Sequence, residues 1–191
     1  MTDLAERRDV ETDLYEPAED SALLADVAVE EVSPTDRVLD VGTGSGFVAR
    51  RVAEAVGARV VGTDLNPHAC RAARDAGLEV VRADLVSSFV ADAFDVVTFN
   101  PPYLPVDEAA ARDDWMEVAL TGGETGREVI ERFLADVGRV LAPDGVVLLL
   151  ASTLTDVDAV VARAGEAGFS AVVLAEDSFP YETLVVVKLV T

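Results

Sequence analysis

The stretch VLDVGTGSG, residues 38–46, decides the fold. It joins an apolar run typical of a buried strand to three glycines, and a run with helical spacing follows it. Glycines at such a junction let the backbone turn tightly and approach a ligand closely, although a plain tight turn has the same composition. A phosphate-binding loop would end in Gly-Lys-Ser or Gly-Lys-Thr, and a dinucleotide-binding loop would have glycine where Phe47 stands. The loop therefore favours a ligand with an amino-acid end, whose ammonium group Asp40 could hold directly or through water.

Short apolar runs and helical runs alternate on both sides of this stretch. Strands are predicted at residues 37–41, 58–65, 78–85, 94–100, 146–152, 169–177 and 182–189, and helices at 16–32, 46–56, 67–76, 127–141 and about 155–167. Repeated strand–helix units predict a doubly wound α/β fold, with a mainly parallel sheet covered on both faces, in a single domain of residues 1–191. Only residues 178–181 separate the last two strands, which predicts a terminal antiparallel hairpin.

Three successive predicted strands end in an aspartate, namely Asp40, Asp64 and Asp84. Ligands of open parallel sheets bind at the carboxyl ends of the strands, and an acid about twenty residues past the glycines characteristically binds ribose hydroxyls. Asp64 has that spacing, and Asp84 could accept a hydrogen bond from an adenine amino group. Each acid could instead cap the helix that follows it. Their recurrence on three strands favours a nucleoside site, and with the ammonium site it indicates S-adenosylmethionine.

The fourth strand is followed by Asn100-Pro101-Pro102-Tyr103. The prolines restrict the backbone, so the Asn100 side chain and the Pro101 carbonyl are held as a rigid pair of acceptors. A planar NH₂ group has two hydrogens to donate to such a pair, and Tyr103 can stack on the flat group that carries it. Fixing both hydrogens would aim the nitrogen lone pair at an electrophilic methyl group. A proline-rich turn is the alternative, but after three nucleoside-type acids the tetrapeptide favours methylation of an amide or aryl amine.

The composition is strongly acidic, with 36 acidic and 15 basic residues and a net charge of −21 at pH 7. This charge argues against direct nucleic-acid binding and fits a halophilic protein of a salty cytoplasm, with a basic partner surface as the alternative. Cys70 is the only cysteine, so we expect neither an internal disulfide nor a metal site. The longest apolar run, residues 145–151, is too short for a membrane span, and the N-terminal segment lacks a signal-peptide core. The expected location is cytoplasmic.

Four stretches carry a resemblance to a known family: LYEPAEDSALL (14–24), VLDVGTGSG (38–46), FNPPY (99–103) and ALTGGETGREVIERF (119–133). Together they resemble the short archaeal and eukaryotic branch of the HemK family, the release-factor glutamine methyltransferases. The resemblance implies a Rossmann-like class I methyltransferase fold with a seven-stranded sheet. It also implies N5-methylation of the glutamine in the Gly-Gly-Gln motif of class-one translation release factors, with S-adenosylmethionine as the methyl donor.

Carried over onto this sequence, the resemblance identifies two sets of site residues. The expected cofactor contacts are Ser21, Asp40, Gly42, Gly44, Gly46, Asp64, Asp84, Leu85 and Asn100. The expected catalytic and substrate-binding residues are Asn100, Pro101, Pro102 and Tyr103. The N-terminal segment, about residues 16–32, would help to close the mouth of the active site.

The resemblance also implies a heterodimer with a small zinc-binding activator protein, which would pair with the edge strand LEVVRADL, residues 78–85. Four alternatives stay open at this stage. They are lysine methylation of proteins, adenine or cytosine amino methylation of nucleic acid, a non-catalytic cofactor-binding subunit, and a nicotinamide oxidoreductase.

Several other residues attract attention without a firm role. His68 and Cys70 are expected to be a solvated first-turn residue and a packing residue, and Arg127 and Arg132 to be surface residues. Gly122, Gly123 and Gly126 are expected to form an ordered loop near the substrate, with a plain turn as the alternative. The roles of Asp113, Asp114 and Trp115 are left open.

Overall fold

The computed structural model describes residues 19–104 and 121–191. Its helices are α1 (Glu19–Glu31), α2 (Phe47–Val56), α3 (Pro67–Asp75), α4 (Glu128–Val140) and α5 (Val157–Glu166), with a 3-10 turn at Thr153–Thr155. Its strands are β1 (Arg37–Val41), β2 (Arg59–Asp64), β3 (Glu79–Arg82), β4 (Phe94–Phe99), β5 (Leu141–Ser152), β6 (Ser170–Ser178) and β7 (Thr183–Val190). The first part of the segment predicted to close the site, together with Asp113, Asp114 and Trp115, lies outside these described residues.

In the described ranges the strands form one seven-stranded sheet in the order β3-β2-β1-β4-β5-β7-β6. The first five strands in this order run parallel, while β7 is antiparallel to both β5 and β6. The predicted α/β class and the terminal antiparallel hairpin are both confirmed. The edge position predicted for the third strand is also confirmed, because among the described strands β3 pairs only with β2.

The core consists of two apolar layers, one on each face of the sheet. One layer joins α4 and α5 to the sheet and includes Phe99 and Phe133, whose ring centroids lie 4.5 Å apart. The other joins α1 and α2 to the opposite face and includes Leu24, Val52 and Leu148. The central strands are mainly apolar, as expected for a parallel sheet covered on both faces. The helices thus hold β1 and β4 rigidly in the middle of the sheet.

Two strands differ from their predicted bounds by three or more residues, whereas the others match within one residue at each end. The third predicted strand, residues 78–85, is shortened to β3 because the chain turns out of the sheet after Arg82, and Leu85 has a left-handed φ of 50°. The fifth, residues 146–152, begins earlier because Leu141 already pairs with Phe94, before a register shift at Val96. Hydrophobic periodicity does not report either departure: residues 142–145 are Ala-Pro-Asp-Gly, which is typical of a turn, and the earlier start of β5 depends on its pairing with β4.

Candidate active site

The centre of the sheet provides the crevice in which the candidate residues meet. From β1 the chain builds outward through β2 and β3 on one side, whereas β4 and β5 lie on the other. The carboxyl ends of β1 and β4 therefore flank a topological switch point, which is where open α/β sheets bind their ligands. The glycine loop follows β1 and Asn100 follows β4, so both sequence motifs meet at this switch point.

The glycine loop packs so closely against its neighbours that larger residues would clash at two glycines. Gly46, just before α2, has φ 85°, and a Cβ atom there would overlap the Leu78 side chain. On the adjacent strand, a Cβ at Gly62 would lie 2.8 Å from Cγ2 of Thr43. The loop is also tied to β2, since the Thr43 amide donates to the Thr63 carbonyl at 2.9 Å. The backbone of the loop is thus fixed at close range to its neighbours.

Asp40 lies beneath this loop and is only 3% exposed. One carboxylate oxygen accepts a hydrogen bond from Oγ1 of Thr43 and the other from Oγ1 of Thr98, both at 2.7 Å. Burial raises the pKa of Asp40 to about 6, against the opposing effect of these two hydrogen bonds. Of the two routes by which Asp40 could hold an ammonium group, this burial favours the one through water.

Asp64 ends β2 and also organises the glycine loop. Its carboxylate accepts from the Gly44 amide at 2.9 Å and from the Asn66 amide at 2.8 Å. Burial raises the pKa of Asp64, and the backbone hydrogen bonds oppose that rise. The side chain that caps α3 is Asn66, which accepts from the His68 amide at 2.8 Å. The helix-capping alternative therefore does not account for Asp64.

Asp84 follows β3 and its side chain is half exposed. It forms an ion pair with Arg132, which sequence analysis had treated as a plain surface residue. The next residue is Leu85, whose left-handed φ is uncommon for a residue other than glycine. No helix follows Asp84 before β4, so helix capping does not explain this acid either.

Asn100 presents a buried side-chain acceptor, its Oδ1, to the candidate site. Its Nδ2 donates to Oγ of Ser21 on α1 at 3.3 Å, which sets the orientation of the side-chain amide. Its Oδ1 is buried and has no hydrogen-bond partner within residues 19–104 and 121–191. A buried acceptor without a donor is costly, so this atom fits a ligand that brings its own N–H.

The glycine segment before α4 packs directly on the Asn-Pro-Pro-Tyr backbone. The Gly122 amide donates to the Leu104 carbonyl at 2.9 Å, and a Cβ at Gly122 would lie 2.6 Å from the Pro102 carbonyl oxygen. A Cβ at Gly126 would lie 2.5 Å from the Tyr103 carbonyl oxygen. Side chains at these glycines would displace the residues after Asn100, so the segment is a close-packed support for the site.

Glu128, the first residue of α4, fastens this glycine segment and was missed by sequence analysis. One carboxylate oxygen accepts from the amide and the hydroxyl of Thr125 at 3.0 and 3.1 Å, and the other accepts from the Arg127 amide at 3.2 Å. Desolvation tends to raise the pKa of Glu128, but these hydrogen bonds outweigh it and the pKa is lowered. The Gly-x-x-Gly-x-Glu spacing around it is the signal that could have suggested this role.

Comparison with known proteins gives the site its family. A protein of Methanocaldococcus jannaschii named as an N5-glutamine methyltransferase is 35% identical over 182 residues, which cover 92% of this chain and 91% of that protein. This chain belongs to the same glutamine methyltransferase family, the HemK family.

Other members of the family and a general methyltransferase model agree with this assignment. Methyltransferase HEMK2 of Homo sapiens is 34% identical over 153 residues, covering 73% of this chain and 72% of that protein. Residues 38–123 match a model described as a methyltransferase domain. The resemblance noted from the sequence motifs is thereby confirmed, and the chain is an enzyme of the methyltransferase class.

A solved structure shows the same architecture at similar identity. The E. cuniculi Mtq2–Trm112 complex, described as responsible for the methylation of the eRF1 translation termination factor, matches with a TM-score of 0.78 and 34% identity. The match covers 94% of this chain and 99% of that one. It confirms the Rossmann-like methyltransferase fold expected of a HemK-family protein.

Within the described parts of the chain, no group of three or more His, Cys, Asp or Glu side chains is arranged to hold a metal ion. None of the helices in those parts has the length and apolarity needed to cross a bilayer.

Proposed function

We propose that this chain transfers a methyl group from S-adenosylmethionine to the side-chain amide nitrogen of a glutamine in a protein. The substrate glutamine would be that of the Gly-Gly-Gln motif of a class-one translation release factor. The observation that carries the proposal is the buried Oδ1 of Asn100, an acceptor that no described residue uses. A primary amide brings the planar NH₂ group that such an acceptor fits.

The residues at the carboxyl ends of β1, β2 and β3 fit the proposed methyl donor. Asp64 would accept from the ribose hydroxyls, because each of its oxygens retains a second lone pair beyond its bond to a backbone amide. Asp84 would accept from the adenine amino group, and the glycine loop would lie against the methionine part. Gly42, Gly44, Gly46, Leu85, Ser21 and Asn100 complete the proposed contacts. When bound, S-adenosylmethionine would supply an electrophilic methyl group on its sulfonium.

At the substrate, the proposed role of the protein is to orient the glutamine side-chain amide. Oδ1 of Asn100 and the carbonyl of Pro101 would each accept one amide hydrogen, with Tyr103 beside the amide plane. Holding both hydrogens directs the nitrogen lone pair out of the acceptor pair and favours the geometry of the transition state. No general base is needed before attack, since the proton can leave afterwards. This arrangement favours a planar NH₂ over lysine, whose ammonium group has no free lone pair.

The substrate and the partner are proposed by analogy with the relatives. The matched E. cuniculi protein is described as acting on a translation termination factor together with Trm112. In this chain the edge strand β3 leaves Val81 exposed, and the nearby Leu65 is exposed as well. An exposed edge with apolar side chains is suited to pairing with a partner strand, which we propose comes from a small zinc-binding activator. The net charge of −21 supports a protein substrate over nucleic acid.

The test is a methyl-transfer assay read by peptide mass spectrometry at high salt, with the chain alone and with the activator. The substrates are a release factor with its Gly-Gly-Gln motif and the same factor with that glutamine replaced by alanine. We expect one methyl group on the glutamine amide, none on the alanine variant, and a loss of transfer with Asn100→Ala. Asp95→Asn serves as a matched control, because Asp95 lies at the opposite end of β4 and pairs with Arg37.

Two results would contradict the proposal. Methyl incorporation into lysine or nucleic acid in place of the glutamine would retain the fold and overturn the substrate. Asn100→Ala activity equal to that of Asp95→Asn would remove the buried acceptor from the mechanism.

A further inference from the structure

The turn that follows β3, residues 84–89, is held by side chains from one helix. The turn contains two successive backbone hydrogen bonds, from the Ser87 amide to the Asp84 carbonyl at 3.1 Å and from the Phe89 amide to the Val86 carbonyl at 3.2 Å. Leu85 within it has a left-handed φ of 50°. A non-glycine residue keeps such a conformation only where its surroundings impose it.

Helix α4 supplies those surroundings through two arginines. Arg139 donates to the carbonyls of Phe89 and Val86 at 2.6 and 3.1 Å and is itself held by Asp136 at 2.9 Å. Arg132 donates through Nη2 to Oδ2 of Asp84. The two arginines are seven residues apart and so lie two helical turns along the same face of α4. Arg139 fixes the backbone of the turn, which leaves the Asp84 carboxylate as the group that Arg132 orients.

We propose that Arg132 is a positioning residue that holds the Asp84 carboxylate toward adenine and thereby sets the preference of the cofactor site for adenine. The proposal rests on the proposed function, in which Asp84 accepts from the adenine amino group. Arg132 takes one oxygen of the carboxylate, and the other is bonded by no residue in the ranges 19–104 and 121–191. That free oxygen is the acceptor available to a ligand.

The chemical consequence is discrimination at one position of the purine. The amino group of adenine donates a hydrogen bond, whereas the corresponding oxygen of hypoxanthine accepts one. An ionised carboxylate is an acceptor only, so a correctly aimed Asp84 favours adenine and repels hypoxanthine. Without Arg132, the half-exposed Asp84 side chain would rotate freely in solvent and lose this aim. A residue that only stabilised the fold would weaken both ligands equally.

The experiment compares two ligands on four proteins by titration calorimetry at fixed high salt. The ligands are S-adenosylhomocysteine and its deaminated analogue, S-inosylhomocysteine. The proteins are the wild type, Arg132→Gln, Asp84→Ala and the control Arg59→Gln. Arg59 forms an exposed ion pair with Glu79 at 2.9 Å. These two residues begin β2 and β3, whereas Asp84 follows the other end of β3. Exposed ion pairs contribute little to folding stability, so thermal unfolding should confirm that all four proteins are folded.

We expect Arg132→Gln to lower the ratio of the dissociation constants of S-inosylhomocysteine and S-adenosylhomocysteine by about 3- to 10-fold, the range for loss of one ordinary hydrogen bond. Asp84→Ala should lower this ratio of dissociation constants at least as much, and Arg59→Gln should keep the wild-type ratio. A wild-type ratio in Arg132→Gln, with wild-type protein that binds S-adenosylhomocysteine, would overturn the positioning role alone. Wild-type protein that does not bind S-adenosylhomocysteine would overturn the proposed function and this inference with it.

Discussion

Replacing Asp40 by asparagine should make the protein more stable at neutral pH while it weakens cofactor binding. Burial raises the pKa of Asp40 from 3.8 to about 6, so the folded state disfavours the carboxylate charge. At pH 7.5 the raised pKa lowers the free energy of unfolding by about 3 kcal/mol, relative to a carboxyl group whose pKa is the same in the folded and unfolded states. Asparagine has nearly the same shape and can accept from one of the hydroxyls of Thr43 and Thr98 while donating to the other. The substitution therefore removes the charge without emptying the site.

The pKa of Asp40 determines how the stability difference between the wild type and Asp40→Asn changes with pH. Between pH 6 and 3.8 the folded wild type binds more protons at Asp40 than the unfolded chain does, so this carboxyl adds stability as the pH falls through 6. From the two pKa values, the wild type gains about 1.4 kcal/mol from Asp40 between pH 7.5 and pH 5. Asp40→Asn lacks this gain. Its stability advantage should therefore be largest at pH 7.5 and shrink by about that amount at pH 5.

The assay is urea unfolding of both proteins at pH 7.5, 6.5, 5.5 and 5 in the same concentrated salt. Asp95→Asn is the control of opposite sign, because the hydrogen bond from Arg37 lowers the pKa of Asp95 and makes its charge favourable to folding. Asp95→Asn should lose stability at pH 7.5. If Asp40→Asn unfolds at lower urea than the wild type at pH 7.5, or if their difference does not change with pH, the buried-charge argument is refuted.

Three other substitutions test separate contacts. Ser21→Ala removes the acceptor that orients the Asn100 side chain, and steady-state kinetics should show a several-fold lower kcat with a smaller change in KM if Asn100 acts as proposed. An unchanged kcat would contradict that role. Gly46→Ala places a Cβ against Leu78 at positive φ and should cost about 1–3 kcal/mol of unfolding free energy in urea. Lys188→Met leaves Glu31 without the cation that it contacts at 2.6 Å and should lower the melting temperature in a calorimeter, with a smaller decrease in high salt. A decrease that grows with salt would exclude an ionic origin.

The sequence predicted those parts of the molecule that depend on local pattern. Buried strands are recognisable as mainly apolar runs and helices as amphipathic runs, and α2 begins at Phe47, one residue after its predicted start at Gly46. The three acids and Asn100 were placed correctly at strand ends because strand length and direction determine which residues reach that edge. These features need no knowledge of which distant side chains will meet.

The contacts that give the site its chemistry could not be predicted in the same way. Thr98 meets Asp40 across 58 residues, and Ser21 meets Asn100 across 79. Each contact depends on strand register and helix placement, which periodicity leaves undetermined. Burial of Asp40 follows from the pairing of β1 with β4, so its raised pKa has no signature in the sequence near it. The motifs identify the candidate residues, while the tertiary structure sets the pKa of Asp40 and the direction of the Asn100 side chain.

Helix α4 shows why the two halves of the candidate site depend on each other. At its first residue, Glu128 fastens the glycine segment that packs on the carbonyls of Pro102 and Tyr103. Farther along, Arg132 and Arg139 hold the turn that contains Asp84. A rotation of this helix would therefore move the backbone that follows Asn100 and the turn that contains Asp84 together. Its buried face, which includes Phe133, packs against the sheet and resists such a rotation. In the proposed function, the alignment of methyl donor and amide would thus rest on core packing as well as on the motif residues.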